Sequence, residues 1–281
     1  EKGIPLVPVP KKEELGEAEQ ICKDFGANVS YERALWTADK KAIDWLREFF
    51  GYEPHLKEGD EVFQFDVARN YNFSQIPKDY TWILWLDADD IVLQAENIWK
   101  IVEIGNQAQI DAFYINYIYH AEFNEDGSIR NVIIEHLRER IVRNDGSHKW
   151  IMPIHETLIE QRPTRKTDNR DIEILHLANR EDHVNSLQRN LSVLELAVYK
   201  TEGKDPRQVY YLAKAYYDMA MNGKGEYFDK AAELIKLYLQ GENKSGWPEE
   251  RAQACEYLAE IYRVKNELNN SVKAGMNALI E

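Results

Sequence analysis

Tyr80-Thr81-Trp82-Ile83-Leu84-Trp85-Leu86-Asp87-Ala88-Asp89-Asp90 is the stretch on which the reading of this chain turns. An aromatic and β-branched apolar run stops at three carboxylates within four residues. The run has the length and composition of a buried strand. Its acids then fall at the strand's C-terminal edge, where open α/β sheets place ligands. Carboxylates this close repel one another unless protons or a cation offset the charge. Hard divalent ions take oxygen ligands, and Mg²⁺ commonly combines one or two protein carboxylates with substrate phosphates. The alternative is a strand followed by an acidic turn that caps a helix.

Around this stretch the chain alternates strand and helix. Lys12 to Phe25 reads as an amphipathic helix stopped by Gly26, and Asn28 to Tyr31 as a short strand. The Pro-rich first ten residues read as extended. Thr37 to Phe50 reads as a second helix with a Thr cap and a Gly51 stop, and Pro54 to Glu61 as a charged loop. A helix is expected from Phe65 to Phe73, and another through Ile98, Ile101 and Ile104 to Gly105. Strands are expected at Ala112 to Tyr119, Arg138 to Arg143, Trp150 to Leu158 and Glu173 to Leu177, with turns at Asn124 to Gly127 and Asp145-Gly146.

From His183 onward the periodicity is helical throughout. Leu212-Ala213-Lys214-Ala215-Tyr216 returns as Leu258-Ala259-Glu260-Ile261-Tyr262, each followed by a second helix. Small residues beside large aromatics at this recurrence resemble tetratricopeptide repeats, against the alternative of a plain helical bundle. The fold class read from the chain is therefore α/β over residues 1–180, followed by an all-α helical-repeat domain over 181–281.

The chain has 281 residues, is 44% hydrophobic and 30% charged, and carries a net charge of -14, so a nucleic-acid binder held by phosphate contacts is not expected. Cys22 and Cys255 stand far apart and suggest neither a disulfide framework nor a zinc site, which makes the cytoplasm the expected compartment. No stretch has the length and apolarity of a transmembrane span.

Several segments stand in order about the Asp-rich stretch: Phe65-Asp66-Val67-Ala68-Arg69-Asn70 before it, and then Arg140-Ile141-Val142-Arg143-Asn144, Trp150 to Glu156, and Ile174-Leu175-His176. With the helical tail, this series resembles family-2 glycosyltransferases of GT-A fold that carry a tetratricopeptide extension. The resemblance implies a nucleotide-sugar donor, a UDP-hexose by family habit, and a protein or glycan acceptor. It implies a divalent ion, Mn²⁺ or Mg²⁺, held with the donor diphosphate by Asp87 and Asp89. Asp90 is implied near the sugar or the outer shell of the ion, Arg69 near the nucleotide, and Glu156 as the base of an inverting displacement. His155 is implied as an acceptor contact or metal ligand, and His176 as a further metal ligand.

The residue types suit that chemistry on their own terms, since a metal ion stabilises charge on a departing diphosphate and a carboxylate suits proton removal from an acceptor. Each also has a plainer use: Asp66 as a helix cap, Glu156 as partner of a strand arginine such as Arg140 or Arg143, the histidines as internal hydrogen-bonders, and Tyr114, Tyr117 and Tyr119 as strand packing. The family's first two strands are not seen, which reads as about fifty missing residues, the size of a β-α-β unit. Leu35 to Val62 matches nothing in the family pattern. Two other readings compete: an interaction scaffold built on a degenerate transferase domain, self-associating through Tyr210, Tyr211, Tyr217 and Tyr257, and a haloacid-dehalogenase-like phosphatase with its first Asp as nucleophile.

Overall fold

A computed structural model describes residues 16–30, 32–177, 183–240 and 246–281. The Pro-rich start and the first residues of the expected Lys12 helix lie outside the described residues. The chain order is α1 (Gly16–Asp24), β1 (Leu35–Thr37), α2 (Lys40–Phe50), β2 (Glu61–Phe63), α3 (Phe65–Gln75), β3 (Trp82–Leu84) and β4 (Asp90–Leu93). A short 3-10 turn then leads into α4 (Ile98–Ala108), followed by β5 (Ala112–Phe123), β6 (Ile129–Arg143), β7 (His148–Ile151), β8 (Thr157–Glu160) and β9 (Lys166–His176). Helices α5 (His183–Lys200), α6 (Pro206–Met221), α7 (Tyr227–Gln240), α8 (Pro248–Val264) and α9 (Leu268–Ala278) complete it. The protein is thus mixed α/β with a helical C-terminal part.

Two compact units result: Glu1–Ala34 with Phe65–Arg180, and Leu35–Gln64 with Glu181–Glu281. This differs from the single boundary read at residue 180. The segment without family resemblance belongs to the helical unit, where Trp36 and Trp45 pack on Tyr199 of α5 and a buried carboxylate receives the following loop. Glu195 of α5 is 0% exposed and accepts the backbone N–H of His55 at 2.8 Å, the N–H of Leu56 at 2.6 Å and the hydroxyl of Tyr216. Loop backbone buried in this way needs such an acceptor.

In the α/β unit a five-stranded mixed sheet has the order β3-β6-β5-β9-β4. Only the β5–β9 pair is parallel, and β3–β6, β5–β6 and β4–β9 are antiparallel. One face packs Phe113, Ile115, Tyr117, Ile141 and Ile174 with Ile101 of α4. The other packs Ile83, Trp85 and Val142 with Ile76, Trp150 and Leu158.

The expected Tyr80–Leu86 strand is shorter than its apolar run, and a second strand begins at Asp90, inside the region read as leading into a helix. Ile91-Val92-Leu93 is β-branched enough to pair with Leu175-Ile174-Glu173, and that tertiary pairing decides the conformation. Residues 28–30 form no strand. Helix α2 starts three residues after Thr37: Asp39 caps it by accepting the Ala42 N–H at 2.8 Å, and Thr37 lies in β1.

Gly105 marks the tightest approach of α4 to the sheet. A Cβ there would stand 2.5 Å from Trp82 Cζ2 and 2.9 Å from Phe113 Cε2. Gly105→Ala is therefore expected to lose about 1–3 kcal/mol of stability by overpacking, read from urea unfolding. A cost below about 0.5 kcal/mol, the scale of a neutral surface change, would mean that the two rings yield freely.

In the helical unit α6 packs on α7 and α8 on α9. Asp205 caps α6 through the Arg207 N–H at 2.9 Å, with Pro206 at the first turn. Tyr217 stacks on Tyr257 at 4.5 Å, and Tyr210 is buried against Tyr211 and Tyr238. No helix among the described residues is long and apolar enough to cross a membrane.

Candidate active site

Strands β3 and β4 lie on opposite edges of the sheet, yet residues 85–89 alone connect them. Flat strands spaced about 4.8 Å apart would put those edges roughly 19 Å from each other. A connection this short, itself tightened by the Asp90 N–H bonding to Asp87 O at 3.1 Å, requires a strongly coiled sheet. Asp87 and Asp89 sit on that connection, and Asp90 opens β4 directly after it.

Each acid has its own surroundings. The Asp90 side chain is 0% exposed. Three strands send it one side chain each: Arg140 of β6 donates to Oδ2 at 2.9 Å, the Tyr117 hydroxyl of β5 donates to Oδ1 at 3.0 Å, and His176 Nδ1 of β9 stands 3.3 Å from Oδ1. The β4–β9 register explains the last contact, because Asp90 and His176 are direct cross-strand partners. Asp89 is 47% exposed, with Oδ1 at 3.5 Å from His176 Nδ1. Asp87 turns away from them and accepts Arg69 Nη2–H at 2.7 Å, with Arg140 Nη1 at 3.8 Å.

Arg69 comes from α3, whose first residue donates its N–H to Pro153 O at 2.9 Å. One turn along, Asn70 brackets Trp150, donating to its carbonyl at 2.8 Å and accepting its N–H at 3.0 Å. These bonds dock the helix against the segment that carries Glu156. Arg69 Nε then meets Glu156 Oε1 at 2.7 Å, and its guanidinium lies 5.0 Å from the ring centroids of both Trp85 and Trp150. Glu156 thus pairs with Arg69 of a helix, and not with Arg140 or Arg143 of the strand. Arg143 instead bonds the Gly105 and Ile110 carbonyls.

Burial opposes ionisation of both members of the Arg69–Asp87 pair, but their contacts prevail. Asp87 is held below the usual carboxylate range by Arg69 and then Arg140, and Arg69 is raised by Asp87 and Glu156. Burial and then Asp90 raise the Tyr117 hydroxyl, which keeps it a donor.

Just before Glu156 the backbone is strained. Met152 (φ 76°) and His155 (φ 53°) are both left-handed without being glycine. Such conformations cost on the order of 1–3 kcal/mol each and gather at functional sites. The His155 side chain is exposed on this bend.

Among the described residues, Asp89, Asp90 and His176 offer three ligand atoms within 4.8 Å of one another. The structure brings Asp89 and His176 together with Asp90, while Asp87 joins the Arg69–Glu156 side and His155 stands outside the group. Arg140 and Tyr117 were not singled out from sequence as parts of the site. A usable signal was present for Arg140: a cation beside Ile141-Val142 in a strand must find a buried partner. Nothing in the alternating tyrosines of β5 separated Tyr117 from Tyr114 or Tyr119.

In comparisons with known proteins, no family model matches the chain and no curated protein matches it.

Proposed function

We propose that this chain is a metal-dependent, inverting glycosyltransferase with a GT-A-like α/β unit and tetratricopeptide-like helices, using a nucleotide-sugar such as a UDP-hexose. The observation that carries this reading is the adjacency of two groups at the Asp87–Asp90 turn: the Asp89–Asp90–His176 cluster and the Asp87–Arg69–Glu156 ion pairs.

The donor set fits a divalent ion. Two carboxylates and an imidazole suit Mn²⁺, and the oxygens suit Mg²⁺. Asp89 and His176 would hold it, with Asp90 behind them. A bound ion supplies Lewis-acid stabilisation of the charge that develops on a leaving diphosphate. Arg69 places a fixed positive charge beside the same acids and binds the donor's anionic end. Glu156 accepts the proton of the acceptor hydroxyl or thiol as that atom bonds to the sugar's C1 and the C1–phosphate oxygen bond breaks on the opposite face. Trp85 and Trp150 wall the Arg69 side with apolar surface. The helical unit, in this reading, binds the acceptor protein or glycan, or a second copy of the chain.

Calorimetric titration of UDP with and without Mn²⁺ tests the reading. Manganese-dependent binding is expected in the intact chain. Loss of at least about 100-fold in affinity is expected in Asp89→Ala, the scale for a removed charged ligand. Binding that ignores both Mn²⁺ and the substitution would remove the metal-diphosphate reading and favour an interaction scaffold. Sedimentation of the same samples reports self-association.

A further inference from the structure

Arg140 is the least expected residue of this region. It is 1% exposed in the middle of a sheet, between Glu139 and Ile141 in its strand. Its guanidinium carbon lies 3.8 Å from the Trp85 ring centroid and 4.2 Å from that of Tyr117. Its Nε has no hydrogen-bond partner, and its Nη1 serves Asp90 Oδ2 at 2.9 Å and the Trp85 carbonyl at 3.5 Å. Removing such an ion from water costs several kcal/mol, and a leucine or methionine would satisfy packing alone. What the cation obtains for that cost is a grip on one carboxylate.

Tyr117 grips the same carboxylate from its other oxygen. Asp90 Oδ2 also accepts the Asp87 N–H at 2.9 Å, so holding Asp90 holds the backbone of the acidic turn. The His176 ring leans on Asp90 Oδ1 on one side and stacks on Tyr119 at 5.4 Å on another. His176 Nδ1 also stands 3.5 Å from Asp89 Oδ1, so fixing Asp90 fixes the imidazole edge that would face an ion beside Asp89. The local charge is also set: Asp87, Asp89, Asp90 and Glu156 stand against Arg69 and Arg140, which leaves two negative charges, the amount that one divalent ion offsets.

We propose that Arg140 and Tyr117 are positioning residues for the cation site. They clamp Asp90 by both oxygens, so that the acidic turn and His176 are held ready for one divalent ion. This rests on the metal-site reading above and extends it to two residues that touch neither ion nor substrate.

The test is titration of Mn²⁺ into the full chain, with free Mn²⁺ followed by electron paramagnetic resonance, for wild type, Asp89→Ala, Arg140→Lys and Tyr117→Phe. Melting curves of each variant run alongside. One tight Mn²⁺ is expected for wild type and none for Asp89→Ala. Arg140→Lys keeps the charge but not the planar fork, and is expected to bind Mn²⁺ about 10–100-fold more weakly. Tyr117→Phe keeps the ring and loses one donor, and is expected to weaken binding about 3–10-fold with near-native melting. A packing role alone would move the melting temperature and leave the Mn²⁺ affinity of the folded variant unchanged. If Arg140→Lys does not fold, Tyr117→Phe decides. Wild-type Mn²⁺ affinity in the folded variants, with Asp89→Ala still defective, overturns this inference and leaves the metal site standing. No Mn²⁺ bound by wild type overturns both.

Discussion

Glu156→Gln is expected to lower the rate of sugar transfer by about 10²–10⁴-fold, the usual share of a general base. The amide keeps the shape of the side chain and can still accept the Arg69 Nε–H that Glu156 accepts at 2.7 Å. The docking of α3, the Trp150 contacts and the acidic turn should therefore persist, and UDP with Mn²⁺ should bind within about twofold of wild type, as expected where only a transition-state interaction is removed. The assay is UDP release from a panel of UDP-hexoses with and without acceptor. Equal rates in the two proteins would move the base elsewhere or remove the enzyme reading. A matched loss of binding would make Glu156 a structural partner of Arg69. Glu156 shares Arg69 with Asp87, so in the proposed reaction an anionic donor that drew Arg69 toward itself would free Glu156 for the acceptor.

Glu195→Ala is expected to cost about 3–9 kcal/mol, because it strands the N–H groups of His55 and Leu56 and the hydroxyl of Tyr216 at about 1–3 kcal/mol per stranded donor. Urea unfolding measures it, and a loss below about 0.5 kcal/mol, no more than a surface change, would show that the loop finds other acceptors. The pH dependence has a definite sign. Burial raises the Glu195 carboxyl above its ordinary value of 4.5, with the three donors opposing that shift. Between 4.5 and the raised value the folded protein holds more protons than the unfolded chain, so this group's contribution to stability falls as pH rises through that window. Glu195→Gln removes the slope. Its stability relative to wild type is expected to improve with rising pH, and an unchanged difference from pH 4.5 to 8 would contradict the assignment.

The legible parts of this protein were those governed by local rules. Helices α2, α3, α4 and α6 to α9 announce themselves by periodicity, and Gly51, at φ 71°, ends α2 as a stop signal should. The β5–β6 hairpin follows from alternation and from the Asn124–Gly127 turn. Nonlocal pairing stayed hidden. Nothing in Asp90-Ile91-Val92-Leu93 says that it pairs with β9, and that pairing is what places His176 against Asp90. In the site, the acidic turn stands out because its carboxylates end an apolar run, whereas Arg69 and Glu156 come only from the resemblance to family-2 glycosyltransferases. Their partition could not be read: only the packing of α3 turns Asp87 toward Arg69, and only the coiled sheet brings Arg140, Tyr117 and His176 to Asp90. The allegiance of residues 35–64 likewise rests on contacts distant in sequence, Trp36 and Trp45 with Tyr199 and the loop at Leu56 with Glu195.

That allegiance bears on the chain as it leaves the ribosome. Helix α2 presents Ala42, Ile43, Leu46 and Phe50 as a buried face, yet the carboxylate that receives the following loop lies 140 residues further on from His55. At about 5–20 residues per second this interval lasts roughly 7–28 s. Throughout it the nascent segment must remain uncommitted while the α/β unit condenses on either side of it in sequence. The C-terminal helices therefore complete the packing of a segment made well over a hundred residues earlier, and translation halted anywhere before α5 leaves that apolar helix open to chaperones or to aggregation.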